Sequence, residues 1–196
     1  MATPQMHKNA GLGLCLLVAL ATIGLTFKTG LDPGENFSLG PTPVAAISSG
    51  ELAPEFALEN LNGEKVSLKD QQGQVVLLNF WATWCGPCKL EMPHLQSFYD
   101  KYQEKGLIVL AISTDHAKAA VPPFIEKHQY TFPVLYADSA IPSAYNVYGV
   151  PMVYLIDRQG AIRYTHTGYS PNAVLQLEVE IKKLLDEKVT VAKVAG

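Results

Sequence analysis

Two cysteines stand two residues apart in the segment Cys85-Gly86-Pro87-Cys88, a spacing that suits thiol–disulfide exchange. This chemistry needs an accessible thiolate and a second thiol close enough to resolve a mixed disulfide. If the pair opens a helix, the unpaired N–H groups and the dipole of the first turn favour an anionic sulfur on Cys85. Cys88 then lies one turn inside the helix as the resolving thiol. Pro87 suits the first turn because no hydrogen bond is lost there.

Two other uses of the pair fit the sequence less well. A structural zinc site needs four ligands, and the sequence has no second C-x-x-C pair. His94 is the nearest histidine, and we expect it to pack on a helix face. A purely structural disulfide across two residues would restrain little chain entropy. The third cysteine, Cys15, stands alone in an apolar segment. The three cysteines therefore indicate one functional pair and one cysteine without a role in its chemistry.

The residues around the pair predict a strand before it and a helix after it. Residues 75–80 form an uninterrupted apolar run, typical of a strand that is buried on both faces. Residues 87–105 have helical spacing and end at Gly106. The residues that recur on one side of this helix are Leu90, His94, Leu95, Phe98 and Tyr102. Residues 107–113 predict a second buried strand, which completes a βαβ unit.

The remaining segments predict an α/β fold with a mixed sheet between helices. Residues 56–58 and 65–68 flank Asn62-Gly63 and predict an N-terminal β-hairpin. Residues 132–136, 152–156 and 162–167 predict further strands, the last two joined by a turn. Residues 121–129, 139–147 and 172–187 predict helices. We interpret residues 51–188 as one domain and residues 189–196 as a C-terminal tail.

The N-terminal segment predicts a membrane anchor. Residues 10–27 carry no charge, and a helix of this length spans about 27 Å, close to the roughly 30 Å of a bilayer core. A core helix would show a polar face, and a cleaved signal peptide would have a shorter apolar region with a nearby cleavage site. His7 and Lys8, with no acid beside them, place residues 1–9 in the cytoplasm and the domain outside. Residues 28–50, rich in Gly, Pro and Ser, predict a linker.

Composition excludes some functions. A hydrophobic content of 48% with 17% charged residues supplies a core and argues against a disordered chain. The formal net charge of −3 gives no reason to expect a nucleic-acid partner.

Several motifs resemble the thioredoxin superfamily. Residues 80–89, which read Phe-Trp-Ala-Thr-Trp-Cys-Gly-Pro-Cys-Lys, resemble its active-site motif. Gly149-Val150-Pro151 resembles the loop that carries its cis-proline, and Pro93 matches the proline within its active-site helix. More narrowly, residues 51–188 resemble the membrane-tethered, extracytoplasmic TlpA/ResA/DsbE (CcmG) group, with its AhpC/TSA-Redoxin-like domain. The resemblance implies a thioredoxin fold with a βα segment inserted between residues 114 and 147.

The same resemblance implies a function and a set of site residues. In this group a membrane-anchored oxidoreductase reduces protein disulfides, such as those of apocytochrome c during cytochrome c maturation, or cysteines of copper-site assembly. A membrane electron donor of the CcdA/DsbD kind recycles it, and no cofactor or resident metal is implied. Cys85, Cys88 and Pro151 are then expected at the catalytic site. The expected substrate contacts are Trp84, Gly86, Pro87, Val150 and Met152, although a hydrophobic residue at Met152 departs from the Thr, Ser or Glu common in the group.

Glu91 is a further candidate catalytic residue. Thioredoxin has a buried aspartate below its cysteines, and the corresponding position here is Asn79, which cannot take a proton. Glu91 follows Cys88 by three residues and therefore lies one turn along the same face. The ResA-like group carries an acid at this position, so we transfer a proton-exchange role to Glu91. Burial would raise its pKa toward neutrality, whereas a solvent-facing glutamate is the alternative.

Two other functions remain open at this stage. A peroxiredoxin-like peroxidase shares the fold but needs a threonine where this chain has Ala82. A copper-binding assembly protein would use the cysteines as ligands. His116 and His166 are available for such a site, but they match no firm pattern.

Overall fold

The apolar segment before the cysteine pair forms the central strand of a five-stranded mixed sheet in the computed structural model, which describes residues 49–187. The strands are β1 (Ala57–Glu59), β2 (Lys65–Ser67), β3 (Val75–Trp81), β4 (Leu107–Ser113), β5 (Val134–Tyr136), β6 (Met152–Ile156) and β7 (Ile162–Thr167). The α-helices are α1 (Gly86–Tyr102), α2 (Val121–His128), α3 (Ile141–Ala144) and α4 (Pro171–Asp186).

The strand order across the sheet is β5-β4-β3-β6-β7. β3, β4 and β5 are parallel, whereas β6 is antiparallel to β3 and β7 is antiparallel to β6. β3, α1 and β4 form the predicted βαβ unit, and β1 pairs with β2 in the predicted hairpin. The inserted segment between residues 114 and 147 contains α2, β5 and α3, and β5 extends the sheet beyond β4.

Every residue of β3 is buried because both faces of the sheet are covered. Leu77 and Trp81 point into a core that the sheet forms with α1, α2 and α4. Leu78 and Phe80 point to the opposite face, into a second core formed with residues 53–68 and α3. Successive side chains of a strand alternate between the two faces, so the apolar run needs partners on both. This packing fixes the end of β3, from which the cysteine pair follows.

Helix α1 buries part of the predicted face, since Leu95, Phe98 and Tyr102 are buried as expected. Leu90 is 59% exposed and His94 is exposed, so the expectation that they belong to the packed side is wrong. The buried residues of α1 are Cys88, Glu91, Met92, Leu95, Phe98 and Tyr102. The helix begins at Gly86, and Cys88 in its first turn points inward. The positions that follow Cys88 at helical spacing then share its face.

Part of the predicted organisation lies outside the described residues. This part comprises the cytoplasmic tail at residues 1–9, the anchor at residues 10–27, all but the end of the linker at residues 28–50, and the tail at residues 189–196. Among residues 49–187, no helix is long and apolar enough to cross a membrane.

Candidate active site

The sulfurs of Cys85 and Cys88 are joined in a disulfide at the N-terminus of α1. Cys85 is the residue that caps the helix, and the backbone N–H of Cys88 donates a hydrogen bond to Cys85 Sγ at 3.1 Å. A donor and the positive end of the helix dipole therefore converge on this sulfur. Cys85 is 4% exposed and Cys88 is fully buried. The arrangement favours negative charge on Cys85 in the reduced pair and leaves Cys85 nearer to solvent.

The loop before β6 approaches the same sulfur. The Val150–Pro151 peptide bond is cis, as the resemblance implied. The carbonyl oxygen of Val150 lies 3.6 Å from Cys85 Sγ. The carbonyl oxygen of Pro151 accepts a hydrogen bond from the N–H of Gly168 at 2.9 Å, which ties the loop to the end of β7. The backbone of Val150 therefore borders the sulfur that a substrate must reach.

The predicted contact residues of the cysteine motif lie at the surface beside Cys85. Trp84 is 68% exposed, and Gly86 and Pro87 are exposed as well. Together with the half-buried Val150 they surround the less buried sulfur. Their contacts with substrates stay predictions, but the structure leaves all four able to make them.

Tyr148 is an exposed neighbour that sequence reasoning did not select. Its side chain is 79% exposed, and its hydroxyl lies 3.3 Å from the Oγ1 of Thr167. It precedes Val150 by two residues on the loop that reaches Cys85. The sequence feature that could have indicated it is an aromatic residue directly before the Gly-Val-Pro segment. A large side chain in such a loop is expected at the surface.

The side chain of Met152 does not reach this surface. It is 4% exposed and packs in the core on the sheet face opposite α1, where the hydroxyl of Tyr154 donates to its Sδ at 3.6 Å. The Met152 side chain therefore offers no exposed surface in this structure, and a contact of Met152 with substrates stays a prediction. Met152 begins β6 and pairs with Phe80, and the alternation of the strand turns both side chains into this second core.

Glu91 lies on the buried face of α1, one turn beyond Cys88. It is 4% exposed and accepts a 2.9 Å hydrogen bond from Nδ2 of the buried Asn79 on β3. Burial raises the pKa of Glu91, and the hydrogen bond from Asn79 offsets part of that rise. The net result is a pKa of about 7. The alternative of a solvent-facing glutamate is therefore wrong. The role of Glu91 in proton exchange stays a prediction.

Asp115 is a second residue that sequence reasoning missed. Its carboxylate accepts hydrogen bonds from the backbone N–H and the hydroxyl of Thr83, two residues before Cys85. The two residues are 32 positions apart, so no local motif connects them. They meet because the parallel strands β3 and β4 end side by side.

The candidate copper ligands do not converge. His116 is exposed, and Nε2 of His166 lies 2.6 Å from Oε2 of Glu180. Within residues 49–187, no group of three or more His, Cys, Asp or Glu side chains could hold a metal ion.

The sequence of this chain is similar to a known protein family and to several characterised relatives. Residues 49–165 match the AhpC/TSA family. The thiol–disulfide oxidoreductase ResA of Geobacillus kaustophilus (strain HTA426) is 39% identical over 154 residues, which cover 78% of this chain and 83% of that protein. The thioredoxin-like protein YneN of Bacillus subtilis (strain 168) is 38% identical over 138 residues, which cover 69% of this chain and 81% of that protein.

Solved structures show the same architecture. A crystal structure described as a thiol:disulfide interchange protein DsbE from Chlorobium tepidum matches with a TM-score of 0.68 at 36% identity, over 71% of this chain and 99% of that chain. StoA from Bacillus subtilis matches with a TM-score of 0.56 at 27% identity, over 65% of this chain and 96% of that chain. The predicted thioredoxin fold is therefore confirmed. The peroxidase and copper-binding alternatives are not favoured, because these relatives are named for thiol–disulfide chemistry.

Proposed function

Because this chain belongs to the AhpC/TSA family and is a thiol–disulfide oxidoreductase of the ResA kind, we propose that it reduces protein disulfides outside the cytoplasmic membrane. The observation that carries the proposal is the position of a buried acid, Glu91, one turn beyond the resolving Cys88. That acid supports both a proton path for the exchange and a reducing direction for the pair.

The first step is the attack of the Cys85 thiolate on one sulfur of the substrate disulfide. A bond forms between Cys85 Sγ and that sulfur, the S–S bond of the substrate breaks, and its second sulfur leaves as a thiolate that takes a proton from water. The start of α1 and the N–H of Cys88, 3.1 Å from Cys85 Sγ, stabilise the attacking thiolate.

Cys88 then resolves the mixed disulfide. Its thiol gives a proton to the ionised carboxylate of Glu91, and the resulting thiolate attacks Cys85 Sγ. The Cys85–Cys88 disulfide forms, and the bond to the substrate breaks. The substrate sulfur leaves as a thiolate that takes a proton from water, so the substrate has gained two electrons in all. A carboxyl with a pKa of about 7 suits this transfer, since it binds and releases protons near neutral pH.

The same carboxyl supports the reducing direction. An oxidant such as DsbA is strong because its reduced form is stabilised. Here an ionised Glu91 disfavours a second negative charge on the neighbouring Cys88, and the burial of Cys88 disfavours it further. A dithiol form that gains little from ionisation gives up its electrons more readily, which makes the pair a reductant.

The proposed location and partners rest on the apolar segment at residues 10–27 and on the resemblance described above. A transmembrane anchor at residues 10–27 and a linker at residues 28–50 hold the domain near the outer surface of the membrane. The protein substrates are apocytochrome c or related metalloproteins whose cysteines must be reduced before assembly. A dithiol protein of the CcdA/DsbD kind in the membrane regenerates the Cys85–Cys88 dithiol by the reverse of the same two steps.

The redox potential of the pair is the test of direction. The full-length chain in detergent is equilibrated in thiol–disulfide buffers, and the reduced fraction is counted by alkylation. A potential near roughly −250 mV or lower, closer to thioredoxin than to DsbA, supports a reductant. A potential near roughly −120 mV contradicts the proposal, because the pair would then install disulfides.

The location has its own test. A membrane-impermeant maleimide is added to intact spheroplasts after mild reduction, with the Cys85→Ser chain as control. Labelling of the unmodified chain but not of the control supports an extracytoplasmic domain. Labelling that requires lysis contradicts it.

A further inference from the structure

The segment after β4 forms hydrogen bonds with the segment that leads to Cys85. The carbonyl oxygen of Trp81, the last residue of β3, accepts hydrogen bonds from the N–H of Thr114 at 2.8 Å and from its hydroxyl at 3.1 Å. Asp115, the residue after Thr114, accepts hydrogen bonds from Thr83, which lies two residues after Trp81. Backbone and side-chain hydrogen bonds thus join the ends of β3 and β4 directly before the cysteine pair.

The carboxylate of Asp115 accepts three hydrogen bonds. Oδ2 accepts from the N–H of Thr83 at 2.8 Å and from the hydroxyl of Ser113 at 2.9 Å, and Oδ1 accepts from the hydroxyl of Thr83 at 2.6 Å. An ionised carboxylate has two acceptor oxygens and can serve all three donors, whereas an amide has one acceptor oxygen. Charge-assisted bonds of this kind are also stronger than neutral ones.

The middle of the turn that Asp115 holds is packed less tightly than its ends, because Ala82 and Cys85 are buried whereas Thr83 is only half-buried. The N–H of Cys85 donates to the carbonyl oxygen of Ala82 at 3.1 Å, which closes a tight turn with Thr83 and Trp84 in its middle. The Trp84 side chain is 68% exposed, so burial does not fix it. The backbone at Thr83 determines where the indole of Trp84 stands relative to the sulfur of Cys85.

We propose that Asp115 is a positioning residue, which holds the Thr83–Cys85 turn so that Trp84 and the Cys85 sulfur are presented together to polypeptide disulfides. Asp115 acts through Thr83 and touches neither substrate nor sulfur in this role. The inference rests on the proposed exchange at Cys85 and adds a residue that determines the preference for polypeptide over small disulfides. A small disulfide needs the sulfur alone, whereas a polypeptide also needs the surface beside it.

The expected effect is a loss of reactivity that depends on the substrate. Misplacement of reacting groups by about 1 Å can lower a rate by roughly 100-fold. Asp115→Ala should therefore lower the rate with a polypeptide disulfide by about tenfold or more, and the rate with a small disulfide by no more than about threefold. Thr83→Val, which keeps the backbone N–H, should have an intermediate effect, and Thr83→Ser should restore the unmodified rate.

The experiment uses the reduced full-length chain in rapid mixing with two probes. One is a disulfide-bonded peptide of the Cys-x-x-Cys-His type found at haem-attachment sites, and the other is 5,5′-dithiobis(2-nitrobenzoate). Asp138→Ala is the matched control, because the Asp138 carboxylate also accepts two backbone N–H bonds, from Ala140 and Ile141 at the start of α3. Time-resolved anisotropy of tryptophan fluorescence is measured on the same samples, each carrying Trp81→Phe so that the indole of Trp84 alone is observed.

Selective loss with the peptide, together with faster indole motion in Asp115→Ala than in Asp138→Ala, supports the inference. Equal loss with both probes overturns it, as does unchanged reactivity, since a merely structural role predicts no selectivity. If the unmodified chain reacts with neither probe, the proposed function fails. The anisotropy still decides the inference in that case, because unchanged indole motion in Asp115→Ala overturns it.

Discussion

The side-chain amide of Asn79 donates a hydrogen bond to the carboxylate of Glu91 at 2.9 Å, between a strand and a helix that bury both residues. Burial disfavours the charged form of Glu91 and raises its pKa to about 7, while the bond from Asn79 opposes that rise. In thioredoxin-like proteins with an aspartate on the strand, that acid can take the proton itself. Here the titrating group is on the helix, and the strand supplies a partner that does not titrate.

The first prediction concerns stability. Each pKa unit corresponds to about 1.4 kcal/mol, so the rise in the pKa of Glu91 from 4.5 to about 7 corresponds to about 3 kcal/mol. The folded chain holds this proton more tightly than the unfolded chain. The stability associated with it is complete below pH 4.5 and is lost as the pH rises through about 7. Glu91→Gln should therefore unfold at higher urea concentration than the unmodified chain at pH 8, and the difference should shrink toward pH 4.5.

Urea unfolding of the oxidised chain at several pH values measures this difference, with Glu104→Gln, on a short exposed helical turn after α1, as the matched control. A difference between the unmodified chain and Glu91→Gln that is independent of pH would contradict a raised pKa for Glu91.

The second prediction concerns the partner of Glu91. Asn79→Leu removes the hydrogen bond that favours the carboxylate and keeps a side chain of similar volume. The pKa of Glu91 should then rise above about 7, because burial alone remains. Carbon-13 NMR of labelled glutamate carboxyl groups measures the titration, and Glu91→Gln identifies the resonance. A midpoint that stays in place or moves to lower pH would mean that the amide of Asn79 does not stabilise the charge.

The sequence supports the general fold and the cysteine pair because both depend on local patterns. An apolar run as long as residues 75–80 fits a strand covered on both faces, and a Cys-x-x-Cys pair with a proline fits a helix start. The predicted face of α1 is confirmed at Leu95, Phe98 and Tyr102 but not at Leu90 and His94. Steps of four residues drift around a helix by about 40° each, so the series from Leu90 through His94 reaches the buried face only at Phe98.

Other parts of the site depend on contacts between distant segments. Met152 was expected at the surface from its place after Pro151, but the pairing of β6 with β3 decides its side. The bond between Thr83 and Asp115 exists only once β3 and β4 lie parallel. The spacing of Cys88 and Glu91 predicted a shared face, whereas the pKa of Glu91 follows from burial that no local pattern measures.

The third prediction separates the two cysteines. Cys88→Ser leaves the attacking sulfur and removes the resolving one, so it should accumulate a mixed disulfide with the Cys-x-x-Cys-His peptide. Cys85→Ser should form almost none, because Cys88 is fully buried. In both variants, turnover of the peptide disulfide should fall to background. Mass spectrometry after acid quenching detects the adduct. A larger adduct yield in Cys85→Ser than in Cys88→Ser would reverse the assigned roles.

The last prediction tests the exposed aromatic residue on the loop that carries Val150. The side chain of Tyr148 is 79% exposed, so its removal should leave the free energy of unfolding within about 0.5 kcal/mol of the unmodified value. Tyrosine is enriched among the interface residues whose truncation costs about 1 kcal/mol or more, so we expect Tyr148→Ala to slow reaction with the peptide by roughly fivefold.

Leu175→Ala is the control for Tyr148→Ala, because Leu175 is a 64% exposed apolar side chain on a different element, helix α4. Its rate with the peptide should equal that of the unmodified chain. Stopped-flow rates with the peptide and with 5,5′-dithiobis(2-nitrobenzoate) should differ in their response to Tyr148→Ala, since the small disulfide does not extend to that loop. If the two substitutions slow the peptide equally, the loop before Val150 does not contribute to recognition. A slower peptide reaction in Tyr148→Ala alone would extend the substrate surface from the cysteine turn to the cis-proline loop.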